Sequence, residues 1–152
     1  MKIIGDSQSP MRTFENAVMK KIGDFPKAVH NLSIICSADR PYLRWLANGK
    51  KVAEGRVNTP KYRSMRIGDT VSFLDKKTSS YIHGKIKFKH EYNSFEEMLL
   101  AEGVNNMLPF LKNHELAEGV AVYNSFPGAL RVNKFGCVAI GITVLKFFDN
   151  LK

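Results

Sequence analysis

The chain has 152 residues, 44% of them hydrophobic, and its 23 Lys and Arg against 14 Asp and Glu give a formal charge of +9. That size supports one buried core, the surplus charge favours a polyanionic partner or an anionic surface, and no apolar run approaches the ~20 residues of a membrane-spanning helix. Two cysteines are too few for a disulfide framework.

Ser9-Pro10 has the form of an N-cap followed by proline at the first helical position. Met11, Phe14, Val18 and Ile22 then recur at helical spacing, which predicts a helix from about Pro10 to Ile22. Residues 1–30 are therefore read as an N-terminal helical extension packed on a domain spanning 31–152. The alternative use of that helix is to bind a protein partner. Asn31 to Ser37 reads as a buried strand. Asp39-Arg40-Pro41 opens a short helix with Tyr42, Leu43, Leu46 and Ala47 inward, closed by Gly49. Lys51 to Val57 is the next strand, broken by Asn58-Thr59-Pro60, and a basic loop runs on to Arg66. Asp69 to Leu74 is a strand. Tyr81 to His90 alternates most clearly: Ile82, Gly84, Ile86 and Phe88 share one face, His83, Lys85, Lys87 and Lys89 the other. Ser94 and Glu97 form a capping box for a helix carrying Phe95, Met98 and Leu99. A second helix spans about Glu115 to Tyr123, Phe126-Pro127-Gly128 is a turn, and Cys137 to Phe147 is a long apolar final strand.

Charge is segregated along the chain. Lys50 to Arg66 holds six basic residues against Glu54 alone, and Lys76 to His90 holds five lysines and no acid. Glu91 to Glu118 reverses this, with six glutamates against Lys112. A nucleic-acid-binding face needs such a field, whereas solubility alone does not. Cys36 and Cys137 lie in apolar runs and read as buried thiols of a reducing compartment, with a single disulfide the alternative. With no signal-type apolar core near Met1, the expectation is an intracellular protein, cytoplasmic or nuclear. The four histidines are scattered, and neither metal-ligand spacings nor phosphate-loop or dinucleotide fingerprints occur, so no metal or cofactor is expected.

The densest chemistry lies in Gly49-x-Lys51-x-x-Glu54-x-Arg56. On an extended strand Glu54 and Arg56 share a face, and Lys51 at the strand's entrance can reach it. Two cations around one carboxylate suit a phosphate or a polar nucleobase; a solvated, charge-alternating edge strand is the alternative. Followed by Pro60-x-Tyr62, Gly68-Asp69-x-Val71, Ser94-Phe95-Glu96-Glu97-Met98-Leu99 and Gly136-x-Val138-Ala139-Ile140, this run resembles the ASCH domain family over roughly Leu32 to Leu145. The resemblance implies an α+β fold, a PUA-like mixed β-barrel with flanking α-helices, a link to RNA and modified nucleosides, and a cleft with the lysine and its strand neighbours on its wall. In amidohydrolase-type members a threonine three positions after the lysine is the proposed nucleophile; Glu54 stands there in this chain and cannot supply a hydroxyl.

The expected function is RNA binding, single-stranded or modified, in a basic cleft. Lys51, Arg56, Lys61 and Arg63 are candidates for phosphates, Tyr62, Trp45 and Tyr123 for stacking, Glu54 for a base amino group, and Lys85 and Lys87 for tracking the backbone. Trp45 among leucines reads first as core, with stacking the alternative, and the lysine face reads equally as a solvated edge-strand guard. The alternative is a metal-independent hydrolase, a ribonuclease or acylated-nucleoside amidohydrolase, with Lys51 and Glu54 as catalytic residues.

Overall fold

The computed structural model describes residues 28–151, so the helix expected from Pro10 to Ile22 lies outside the described residues. Among the described residues five strands form one mixed sheet: β1 (Val29–Ser33), β2 (Glu54–Val57), β3 (Thr70–Asp75), β4 (Ser80–Tyr92) and β5 (Cys137–Phe148), in the order β1-β3-β4-β5-β2. Only β1 and β3 run parallel; the other neighbours are antiparallel. The sheet curls into a half-barrel with edge strands β1 and β2 across a seam, which the Arg56 guanidinium spans by donating to Ser33 O at 2.8 Å.

The outer half of β4 departs from simple alternation. Ile82, Gly84 and Ile86 are buried as expected, but pairing then steps from Ile86–Ile142 to Phe88–Gly141 and leaves Lys87 as an extra residue. A one-residue bulge inverts every later side chain. Phe88 thus lies over Gly141, where an added Cβ would come within 2.0 Å of its ring, and His90 stacks on Phe88 at 4.4 Å. Lys89 turns the other way and donates to Tyr62 O (2.6 Å) and Met65 O (2.8 Å), carbonyls at the end of a helical turn.

Six helices occur among the described residues: α1 (Tyr42–Asn48), α2 (Pro60–Arg63), α3 (Phe95–Glu102), α4 (Val104–Met107), α5 (Leu116–Asn124) and α6 (Val132–Phe135). α1 ends at Gly49, whose φ of 83° is left-handed. α2 occupies part of the expected basic loop, because Pro60 at the first helical position favours a turn of helix there. Ser94 Oγ accepts from Glu97 N at 3.1 Å to start α3, while Glu97 reaches back to Asn93 N (3.4 Å) rather than to the cap residue's own amide. α3 packs on β4 and β5, and α5 packs on α3. Cys137 to Ile140 are consequently buried completely. Both cysteines are buried free thiols.

Candidate nucleic-acid interface

Sheet pairing of β2 begins only at Glu54, because the preceding residues are held elsewhere. Lys51 N donates to Trp45 O at 3.0 Å and Val52 N to Asn106 O at 2.7 Å, stapling this segment between α1 and α4. Lys51 therefore points inward, with its side chain 1% exposed. Its ammonium donates to Met107 O at 2.5 Å, lies 3.4 Å from Glu54 Oε1 and sits 5.4 Å from the Tyr42 ring centre. Glu54 and Arg56 share the face opposite the one where Gly55 abuts Tyr123 and Met98. Arg56 Nε and Nη2 both approach Glu54 Oε2 at 2.8 Å, Nη1 donates to Tyr62 Oη at 3.1 Å, and Nη2 also reaches Ser33 O.

The three charges set one another's ionisation. Burial pushes the Glu54 carboxyl up, but Arg56 and then Lys51 outweigh it and hold the group below its ordinary value. Burial lowers the Lys51 ammonium against the opposing pull of Glu54. Arg56 stays protonated, Glu54 more than offsetting its desolvation. Tyr123 is pushed well up by burial and by the nearby Glu54 charge.

Glu54 and Arg56 of this cluster form the floor of a cleft of about 310 Å³ at the seam. One wall is the end of β1 from Ser33 to Ile35 with Arg56 and Tyr62; the other is Phe95, Tyr123, Phe126 and Arg131. Phe95 and Tyr123 stack at 5.2 Å, and Phe126 meets Tyr123 edge-on at 5.5 Å. Tyr42 also lines the cleft, and among the described residues its buried hydroxyl has no hydrogen-bond partner. Arginine has five N–H donors, so the Arg56 bonds named leave donor capacity for a ligand.

The sequence-derived candidates separate into groups. Glu54, Arg56, Tyr62 and Tyr123 meet at the cleft, with Lys51 beneath them. Lys61 is exposed on α2, 5.9 Å from the Tyr62 ring centre. Arg63 is engaged with Asn58 O and Phe135 O, both at 3.0 Å. Trp45 stacks on Phe110 and meets Tyr42 edge-on, outside the cleft lining. Lys85 and Lys87 are exposed on the sheet's outer face. Arg131, Phe126 and the β1 end were not among the candidates: nothing local in the sequence links them to β2.

A family model of the ASCH domain matches residues 37–146. The chain belongs to the ASCH domain family. Two solved ASCH-like structures share its architecture, which is an α+β, PUA-like fold. The crystal structure of hypothetical protein PH0355 is 34% identical with a TM-score of 0.66, over 77% of this chain and 99% of that one. The solution structure of protein PF0455 from Pyrococcus furiosus is 33% identical with a TM-score of 0.61, over 78% and 98%. Protein EF3133 from Enterococcus faecalis V583 shares the fold alone, at 10% identity and a TM-score of 0.50, over 92% and 94%. No curated protein matches the sequence. ASCH domains are generally associated with RNA binding, and the Gly49-x-Lys51-x-x-Glu54-x-Arg56 run lies inside the matched region. Among the described residues no helix is long and apolar enough to cross a membrane.

Proposed function

We propose that this ASCH domain binds unpaired RNA, seating one base in the seam cleft. The observation that carries the reading is the Glu54–Arg56 pair set at the floor of an aromatic-walled cleft. Apolar walls bury a planar ring, while the pair presents a carboxylate acceptor and guanidinium donors to its edge. Arg131 on the cleft wall and the exposed Lys61, beside Tyr62 on α2, meet flanking phosphates, and Phe126, 37% exposed, offers the most accessible ring for stacking. Lys51 acts from below by fixing Glu54, and does not touch the ligand.

Hydrolysis in the same cleft is the weaker reading. A general base works best with a pKa near the operating pH, and Glu54 is held below the ordinary carboxylate value. The test is titration of the full chain with labelled single-stranded RNA and with duplex RNA of the same sequence, alongside acylated nucleosides scored for product. Single strands should bind more tightly than duplex, Phe126→Ala should weaken them at least about fivefold, and no product should form. Equal affinity for duplex, or Phe126→Ala binding like the parent, rejects the base-seating cleft; turnover abolished by Glu54→Gln establishes the hydrolase instead.

A further inference from the structure

The face of the sheet opposite the core carries a second surface, away from the seam. Strand pairing aligns its outward side chains into three rows across β1, β3, β4 and β5. They are Ser33–Leu74–Tyr81–Phe148, Asn31–Ser72–His83–Lys146 and Val29–Thr70–Lys85–Thr143. No carboxylate occupies any of these positions. Lys85, Lys146 and His83 are exposed, Lys87 follows at the bulge, and Lys76 and Lys77 crown the β3–β4 turn beside the first row. Among the described residues none of these lysines pairs with a carboxylate, in contrast to Lys51 and Arg56.

Aromatic groups sit among these charges. Tyr81 and Phe148 stack across strands at 5.6 Å, Phe148 is 46% exposed, and Lys146 lies 5.7 Å from the Tyr81 ring centre. His83 lies 4.7 Å from Tyr81 and shares a hydrogen bond with Ser72 Oγ. Leu74 (38%) and Val29 (63%) are the exposed aliphatic residues of the rows. Half-buried Tyr81 and exposed Phe148 thus leave ring surface open on a four-stranded face, and bases stack on such sheet-borne aromatics two or three at a time. Outward residues two apart on a strand are ~6.7 Å apart, so adjacent rows can serve successive nucleotides.

We infer that this outer face is a second binding surface for single-stranded RNA, with bases stacking on Tyr81 and Phe148 and phosphates meeting Lys85, Lys87 and Lys146. The ligand class is that of the proposed cleft function, but the stacking and phosphate-contacting residues assigned here, Tyr81, Phe148, Lys85, Lys87 and Lys146, are not cleft residues, so the two readings can fail separately. Charge complementarity decides the occupant: the acid-free lysine rows suit a polyanion and would repel a basic peptide.

The experiment measures the affinity of the full chain for short single-stranded RNA as a function of salt, with photocrosslinking to locate contacts. Tyr81→Ala with Phe148→Ala should weaken binding at least about fivefold, while Tyr81→Phe keeps the ring and should bind like the parent. Lys85→Gln with Lys146→Gln should reduce the salt slope by about 1.4, since each single-strand phosphate contact contributes ~0.7. These lysine changes are at the surface and keep the test valid even if the aromatic variant unfolds. Crosslinks should fall on β4 and on the end of β5. Unchanged affinity and slope in folded variants, or crosslinks confined to the cleft, overturn the inference, as does a change in self-association without a change in RNA affinity. If Phe126→Ala binds like the parent while the outer-face variants lose binding, the cleft reading falls and this one stands; if the parent binds no RNA, both fall.

Discussion

The seam and the outer sheet face contain the same kinds of side chain and treat them in opposite ways. In the seam, Lys51 is taken out of water and Arg56 largely so, and they are satisfied by Glu54, by the carbonyls of Met107 and Ser33 and by the Tyr62 hydroxyl. On the outer face, Lys85, Lys87 and Lys146 remain in water without a carboxylate partner among the described residues. The first set organises a cleft; the second contributes field. Cation count alone therefore misjudges an interface, since much of the seam's positive charge is already answered by the protein. What it presents to a ligand is the residual donor capacity of Arg56, whereas the outer lysines present whole charges.

The sharpest way to break this contrast is Glu54→Ala. Removing the carboxylate leaves the buried Lys51 ammonium without its anionic partner and the half-buried Arg56 beside it, and losing one partner of a buried pair costs about 3–5 kcal/mol. Urea denaturation should show that loss; a cost under about 1 kcal/mol, as for surface pairs, would place the cluster in effective contact with solvent. Acid probes the same group. Because the folded-state pKa of Glu54 lies below its ordinary value of 4.5, its stabilising contribution is complete above that value and drains away as pH falls through the lower folded value. Glu54→Gln should flatten the acid limb of the stability profile in that window. A profile matching the parent's would mean that Asp69, also held below its ordinary value, carries the acid response.

The next effect is steric. A Cβ at Gly55 would lie 2.6 Å from Tyr123 Oη and 2.9 Å from Met98 Cε, so Gly55→Ala must displace the cleft's inner wall. Overpacking of this kind costs about 1–3 kcal/mol, and RNA affinity should fall with it if the cleft is the binding site. Ser94→Ala tests a position outside both regions: loss of the α3 cap should cost about 1 kcal/mol with RNA affinity unchanged. The smallest effect belongs to the outer face. Lys85→Gln and Lys146→Gln should each change stability by no more than about 0.5 kcal/mol, read from denaturation midpoints. A larger loss would show that these lysines have a structural partner, and the contrast between the two regions would vanish.

Much of the local structure was legible from residue order. Ser94 and Glu97 announced α3, Gly49 the end of α1, and Ile82 and Ile86 the inward face of β4, because caps and alternation depend on contacts within a few residues. Even there the reading had limits. Lys87 looks in sequence like another outward strand residue, and only the pairing with β5 makes it a bulge that swaps Phe88 and Lys89 between faces. The likeness to ASCH domains was legible too, since its motif is an ordered set of short runs.

By itself, the sequence determined the order of the five strands, the shared face of Glu54 and Arg56, and the segregation of positive from negative charge. All three follow from backbone periodicity and covalent order. The tertiary structure alone decided that β1 would face β2 across a seam, that Ser33 and Tyr62 would complete the hydrogen bonds of Arg56, and that Phe126 and Arg131 would close the cleft. Those placements depend on the curl of the sheet and on contacts between segments distant in the chain. No local spacing encodes which charges will be buried and paired and which will be left to water.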